Sequence, residues 1–174
     1  MMEQDNPKIG FKWKLIYRGI AVSGSTVSIP SVTGNIVITC AAVITNIIDT
    51  IGISPNTRLS TSSGDNRTQS GYAAIGANKD AASLIHLTAG DTLRIKGVSL
   101  PASNDSYSAI AMHNASGAFA TSTYLHNGLG WNNLTFNNSG NSVVITSGGD
   151  HYFRISLICT DASAVIATIN EPIT

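Results

Sequence analysis

Residues 90–97 read Gly90-Asp91-Thr92-Leu93-Arg94-Ile95-Lys96-Gly97, a glycine–aspartate turn followed by a strictly alternating stretch. Leu93 and Ile95 point to one side of an extended chain, and the polar residues between them point to the other. Alternation with a period of two, bounded by glycines, is typical of a strand with one buried and one solvated face. The stretch therefore predicts a half-buried β-strand.

Residues 149–156 repeat this unit as Gly149-Asp150-His151-Tyr152-Phe153-Arg154-Ile155-Ser156. Phe153 and Ile155 share one face of this second predicted strand, and Arg154 lies on the other. Two such strands predict the two walls of a β-sandwich. The alternative is that a Gly-Asp turn before a strand is ordinary hairpin chemistry, which any all-β chain repeats.

Strand-like segments recur along the chain about every eight to twelve residues, separated by turns rich in Gly, Asn and Ser. No segment has the sustained i, i+3, i+4, i+7 apolar spacing that an amphipathic helix requires. This pattern predicts an all-β fold, an antiparallel β-sandwich or jelly roll of about ten or eleven strands.

The composition limits the classes of partner. The chain has 174 residues, of which 11% are charged, and ten basic residues balance ten acidic ones. Such a chain has no excess positive charge with which to bind nucleic acid or an anionic membrane, so neither is expected as a partner. The longest apolar stretch, residues 36–53, is interrupted by polar residues, which argues against membrane insertion. Residues 1–7 do not read as a signal peptide, so we expect a soluble protein synthesised in the cytoplasm.

The chain lacks the motifs of common enzymes, including Gly-x-Ser-x-Gly, His-Glu-x-x-His and phosphate-binding glycine loops. Its two glutamates, Glu3 and Glu171, lie at opposite ends, so paired carboxylates for glycoside hydrolysis would have to be aspartates. Asp91 and Asp150 both follow a glycine in a turn, where an aspartate usually caps its own backbone. We therefore expect a non-catalytic protein without a cofactor.

Cysteines and histidines give no metal-ligand spacing, so no metal site is expected. Cys40 and Cys159 each lie in an apolar, strand-like run. Two small buried hydrophobic residues fit this placement. A disulfide between strands fits it as well, provided that the compartment is oxidising.

A carbohydrate site needs an aromatic face for the apolar side of a sugar ring and polar side chains for the hydroxyls. One segment supplies such a set: Tyr124, His126, Asn127, Trp131, Asn132 and Asn133. Trp131 lies between a glycine and two asparagines, which favours exposure in a loop or at a strand start. It could equally close the end of the sandwich as a core residue. Tyr107 flanks a neighbouring strand and is a further candidate, unless it is half-buried in the sheet.

Three arginines, Arg58, Arg94 and Arg154, lie in predicted strands between apolar residues. A guanidinium in such a position must be paired or must reach solvent. It can recognise a sugar carboxylate through its planar fork, or it can hydrogen-bond to aspartates or turn carbonyls within the fold. Arg154 is included among the candidate carbohydrate-binding residues.

Several of these stretches resemble, in order, the lectin-like jelly-roll domains of phage and prophage tail proteins. In that family a strand pair with Arg-x-Ser precedes a Gly-Asp strand, and the domain closes on Arg-Ile-Ser and Asn-Glu-x-Ile. The matching stretches are residues 46–49, 57–64, 71–72, 90–97, 152–156 and 169–173. Residues 27–39 are similar to the last strands of an Ig-like tail repeat, but the earlier strands of that repeat are missing. The resemblance implies an N-terminal segment, 1–44, with a leader and a partial Ig-like or oligomerisation unit, and a lectin-like domain, 45–174.

This resemblance implies attachment to a host surface. The protein would be part of a virion tail, a homotrimeric fibre or baseplate tip that contacts other tail proteins and binds a cell-surface glycan. Low charge with β-rich patterning fits a chain whose remaining apolar surface is covered by its own copies. Two alternatives stay open: a purely structural virion protein, such as a collar, decoration or fibre spacer, and the binding module of a sugar-modifying hydrolase.

Overall fold

The computed structural model describes residues 11–13, 21–23, 26–28, 40–42 and 45–171, and the chain divides into two compact units between Thr45 and Asn46. The first unit has strands β1 (Phe11–Trp13), β2 (Ala21–Ser23), β3 (Thr26–Ser28) and β4 (Cys40–Ala42). Strand β1 pairs with β4, and β2 pairs with β3, both antiparallel. The predicted leader and most of the stretch that resembles an Ig-like repeat lie outside the described residues.

Over residues 46–171, the second unit consists of strands, one short helix and two 3-10 turns. The helix is α1 (Ile48–Ile51), and the 3-10 turns are Ala81–Ser83 and Ala162–Ala164. The strands are β5 (Ile53–Leu59), β6 (Asn66–Ile75), β7 (Ile85–Leu87), β8 (Thr92–Lys96), β9 (Ala109–His113), β10 (Phe119–Tyr124), β11 (Leu129–Trp131), β12 (Leu134–Ser139), β13 (Ser142–Ser147), β14 (His151–Ile158) and β15 (Ile166–Ile169). No helix in the described part of the chain is long and apolar enough to cross a membrane.

These strands form two antiparallel sheets packed face to face, so the predicted all-β sandwich is confirmed. Sheet I has the order β10-β9-β14-β6-β5, with β7 also paired to β14. Sheet II has the order β11-β12-β13-β8-β15. Because β14 lies between β9 and β6, and β8 between β13 and β15, neighbouring strands come from distant parts of the chain. Such connections are typical of Greek-key and jelly-roll topologies.

The core lies between the sheets and is built from alternate residues of each strand. Leu93 and Ile95 of β8 are fully buried there, as are Phe153 and Ile155 of β14. These are the inward rows that the sequence predicts. Cys159 belongs to the same core as a free thiol whose pKa is raised by burial, so it packs as a small apolar residue. The side chain of Cys40 lies outside the described residues.

The Gly-Asp turn before β8 is closed by its own aspartate. Asp91 Oδ2 accepts hydrogen bonds from the backbone N and the Oγ1 of Thr88, both at 2.7 Å. Asp91 Oδ1 accepts a bond from Asn170 Nδ2 at 2.7 Å, and Asn170 Oδ1 accepts one from Thr92 N at 2.8 Å. These bonds join the start of β8 to the end of β15. They give Asp91 the turn-capping role that the sequence predicts.

The hairpin of β5 and β6 bends sharply in its middle. Pro55 pairs with Ala73, but the next pair is Thr57 with Thr68, so Asn56 alone is opposite residues 69–72. Asn56 and Gly71 both have positive φ, 50° and 79°. Glycine and asparagine tolerate this left-handed backbone better than other residues, which allows a sharp bend here.

Beyond the bend, the hairpin folds back over the outer face of its own sheet. Leu59 packs against Ala74, Ala109 and Ala111, which alternate with inward-facing residues of β6 and β9. Asn66 Nδ2 donates a hydrogen bond of 3.1 Å to the carbonyl oxygen of Ala77, just beyond the end of its own strand. We call residues 57–68 the fold-back hairpin. It makes a further layer outside sheet I.

Arg154 holds the fold-back hairpin against sheet I. Its Nε donates to the carbonyl oxygen of Gly76 at 2.7 Å, its Nη1 to that of Gly64 at 2.9 Å, and its Nη2 to Asn66 Oδ1 at 2.5 Å. The side chain is 1% exposed, and burial lowers its pKa to about 10, a shift that the charge of Asp65 opposes. The guanidinium therefore stays charged at neutral pH among neutral oxygen acceptors.

This placement corrects the assignment of Arg154 to a carbohydrate site. The residue lies on the outer face of β14, opposite the inward row, as the sequence predicts. The fold-back hairpin covers that face, so the guanidinium cannot meet a ligand from solvent. The structure instead has the alternative interaction, hydrogen bonds to turn carbonyls.

Replacing Arg154 with methionine should destabilise the protein strongly. Arg154→Met leaves two buried carbonyl oxygens, of Gly64 and Gly76, without a donor, and it also removes the bond to Asn66. We expect the free energy of unfolding to fall by about 3 kcal/mol or more. Arg94→Met is the matched control, because Arg94 is half-buried on the outer face of sheet II; we expect a change within about 0.5 kcal/mol. Urea denaturation measures both, and equal losses would contradict the anchoring role of Arg154.

Candidate functional site

An exposed aromatic group lies on the outer face of sheet I, beside the bend of the fold-back hairpin. The Tyr107 side chain is 38% exposed, and its ring meets Tyr72 edge-to-face with the centroids 5.5 Å apart. The guanidinium carbon of Arg58 lies 5.5 Å from the centroid of the Tyr107 ring. We call Arg58, Tyr72, Asp105 and Tyr107 the Tyr107 patch.

Asp105 and Ser156 fix the position of Tyr107. Asp105 Oδ1 accepts hydrogen bonds from the backbone N of Tyr107 at 2.8 Å and of Ser108 at 2.6 Å, which makes an Asp-capped turn. Its Oδ2 accepts a bond of 3.0 Å from the Tyr72 hydroxyl. The buried Ser156 Oγ donates to the Tyr107 carbonyl oxygen at 2.8 Å. Burial, and then the bond to Asp105, raise the pKa of Tyr72, so its hydroxyl remains a neutral donor.

Tyr124 lies on the same face of the sheet, at the end of β10. Its cross-strand partner is Ala109, two residues beyond Tyr107, and its side chain is 37% exposed. The Tyr124 hydroxyl accepts a hydrogen bond of 3.4 Å from Thr61 Oγ1 on the fold-back hairpin. Ser122 Oγ donates to the carbonyl oxygen of Thr61, so the hairpin also contacts the edge strand β10.

Trp131 lies elsewhere, in the edge strand β11 of sheet II. Its cross-strand partner is the fully buried Leu134, and the indole packs half-buried against the core between the sheets. Asn132 and Asn133 form the two-residue turn between β11 and β12, with φ of 48° and 58°. Positive φ at both positions is the requirement of a type I′ hairpin turn, which asparagine satisfies well. The two asparagines thus have a backbone role, with their side chains exposed.

His126 and Asn127 belong to the segment that links the two sheets. Asn127 Oδ1 accepts a hydrogen bond of 2.7 Å from Asn138 N, and Asn127 N donates one of 2.9 Å to the Pro101 carbonyl. His126 Nδ1 lies 3.0 Å from the carbonyl oxygen of Asn127. The side-chain oxygen of Asn127 therefore already accepts a hydrogen bond that fixes the segment between the two sheets.

The structure divides the predicted carbohydrate-binding residues into separate groups. Tyr107 and Tyr124 share the outer face of sheet I, whereas Trp131 and its two asparagines lie at the edge of sheet II. Sequence reasoning missed Tyr72 and Asp105. An Asp-Ser-Tyr sequence before a strand is a recognisable signal for an Asp-capped turn, but the contact with Tyr72 comes from the pairing of distant strands.

A buried histidine lies under the tip of the fold-back hairpin. His113 is 6% exposed, and its Nδ1 lies 2.8 Å from the Gly117 carbonyl oxygen, which requires a proton on Nδ1. Its Nε2 has no hydrogen-bond partner among the described residues. Burial lowers the pKa of His113, the positive charges of Arg154 and Lys79 lower it further, and the bond to Gly117 opposes the shift. His113 is therefore neutral at pH 7.

Within residues 45–171, no cluster of three His, Cys, Asp or Glu side chains is arranged to hold a metal ion. Comparison of the chain with protein-family models, curated proteins and solved structures finds no match.

The buried His113 should make stability depend on pH. Because its pKa lies below the ordinary 6.5, the unfolded chain takes up the proton first as the pH falls below about 6.5. The free energy of unfolding should then decrease, by at most about 1.4 kcal/mol per pH unit from this residue. Urea denaturation between about pH 7.5 and about pH 5 measures the slope.

His113→Gln should flatten this dependence, since an amide keeps a donor for Gly117 but takes up no proton. His86→Gln is the control, because His86 lies exposed on β7, paired with Asp150 at 2.7 Å. The charged groups around His113 are Arg154 of β14, Lys79, and the Asp65 that forms an ion pair with Lys79. An unchanged slope in His113→Gln would contradict the assignment.

Proposed function

We propose that this chain is a non-catalytic attachment protein of a phage or prophage tail, which binds a host cell-surface glycan through the outer face of sheet I. One observation carries the proposal. Tyr107 and Tyr124, the exposed large aromatic residues of the described chain, lie on the same face and are both fixed by hydrogen bonds.

The chemistry of this face suits a sugar. The apolar side of a pyranose ring stacks on an aromatic ring, and its hydroxyls need donors and acceptors nearby. Tyr107 supplies an exposed ring, the Arg58 guanidinium supplies donors, and the hydroxyl of Thr61 lies beside Tyr124. Because these groups are already held in place, binding costs little ordering of side chains.

The virion setting is part of the same proposal. The order of the motifs in residues 45–174 resembles that of lectin-like tail domains, which supports a tail location and contacts with other tail proteins. The low charge of the chain supports assembly as a homotrimer, because identical copies can cover apolar surface that a weakly charged chain would otherwise expose to solvent.

Alanine substitutions separate this face from the surface around Trp131. Tyr107→Ala should lower the affinity for a glycan identified on an array by about tenfold or more, because the stacking ring is lost. Tyr107→Phe keeps the ring and should bind nearly as well as the wild type. Trp131→Ala should change the affinity little, and its melting temperature should report the lost packing. Titration calorimetry measures each affinity.

Two results would contradict the proposal in different ways. A loss of binding in Trp131→Ala but not in Tyr107→Ala would move the site to the β11–β12 hairpin. A wild-type protein that binds no glycan on a broad array would exclude carbohydrate binding and favour a structural role in the virion.

A further inference from the structure

We propose that the glycan bound at the Tyr107 patch is acidic, and that Arg58 and Arg67 hold its carboxylate or phosphate group. This inference rests on the proposed function, since it concerns the ligand of the same site. In the fold-back hairpin, Arg58 is directly opposite Arg67. Residues paired in this way have their Cβ atoms about 5 Å apart on one face of the hairpin.

Two like charges placed directly opposite each other destabilise an antiparallel pair. Neither arginine forms an ion pair with a carboxylate of the described residues, where the ion pairs are Lys79 with Asp65 and His86 with Asp150. Arg67 contributes only the weakest of the interactions that lower the pKa of Asp65. No ion pair among the described residues therefore neutralises the two positive charges, in a chain with only 11% charged residues.

The arginine pair is held on a rigid support. Leu59 and Asn66, the next residue pair of the hairpin, face sheet I, where they contact the alanine cluster and Arg154 respectively. Successive residues of a strand point to opposite sides, so Arg58 and Arg67 share the face of the hairpin opposite to Leu59 and Asn66. Arg67 is exposed, and Arg58 is half-buried against the Tyr107 ring.

Contact with the ring of Tyr107 orients the guanidinium of Arg58. A planar guanidinium stacks on an aromatic ring and keeps its edge donors free for a carboxylate or phosphate. Asp105 is the carboxylate of the patch, and its oxygens accept bonds from Tyr72, Tyr107 and Ser108, all neutral donors. Its one negative charge is opposed by the two positive charges of Arg58 and Arg67, so the three side chains together are positive. An anionic group of the sugar would form ion pairs with both arginines while the sugar ring stacks on Tyr107.

The test uses the full chain and three classes of glycan on one array: neutral, carboxylated and phosphorylated. For affinities in solution, the probes are oligogalacturonate, its neutral methyl ester, and a glycerol-phosphate oligomer. We expect at least one anionic probe to bind about tenfold or more tightly than the methyl ester, with weaker binding as salt rises. Oligogalacturonate and the phosphate oligomer distinguish a carboxylate source from a phosphate source.

Arg58→Gln and Arg67→Gln should each lower the affinity for the preferred anion about tenfold and leave thermal stability unchanged or slightly raised. Arg94→Gln, on the outer face of sheet II, is the matched control and should bind as the wild type does. Equal binding of neutral and anionic glycans would overturn the acidic ligand, and binding unaffected by both arginine substitutions would overturn the role of Arg58 and Arg67; either result leaves the proposed function standing. No binding to any glycan class would overturn both.

Discussion

The bond network of one buried guanidinium holds the outer layer of this protein together. Arg154 donates to two turn carbonyls and one amide oxygen, and these acceptors come from both ends of a strand that bends back on itself. A buried cation is costly unless its donors are satisfied. The fold-back hairpin supplies the acceptors, and Arg154 in turn keeps the hairpin on the sheet. We therefore expect the buried guanidinium and the folded-back hairpin to depend on each other for stability.

This mutual dependence also determines the character of the surface. The hairpin covers a face of small residues, Ala74, Ala109 and Ala111. Larger side chains at these positions would keep the hairpin from packing closely on the sheet. At its bend it brings Arg58 against the Tyr107 ring, and near its tip it reaches Tyr124 through Thr61. The exposed tyrosines and the arginine pair therefore contact or belong to the same hairpin that Arg154 holds against sheet I. The same hairpin, residues 57–68, therefore contributes both to stability and to the candidate binding surface.

The sequence predicts the features that local rules control. Alternation in β8 and β14 correctly predicts the sandwich and its inward rows, and the Gly-Asp turn correctly predicts the capping role of Asp91. The burial of Arg154 is not predictable in this way, because its acceptors lie about eighty to ninety residues away in sequence. The sequence leaves open whether Trp131 is exposed or packs against the core, and in the structure it is half-buried against the core, beside the tight turn of Asn132 and Asn133.

If the hairpin of residues 57–68 folds back over sheet I, methyl groups of Leu59 and of the alanines beneath it lie close together. A methyl nuclear Overhauser spectrum of the full chain should show contacts from Leu59 to Ala74 and Ala111, which belong to one packed cluster. An extended hairpin would keep Leu59 away from β9. We expect strong cross-peaks between Leu59 and Ala111. If they are absent and Leu59 is exposed to solvent, the hairpin does not fold back over sheet I.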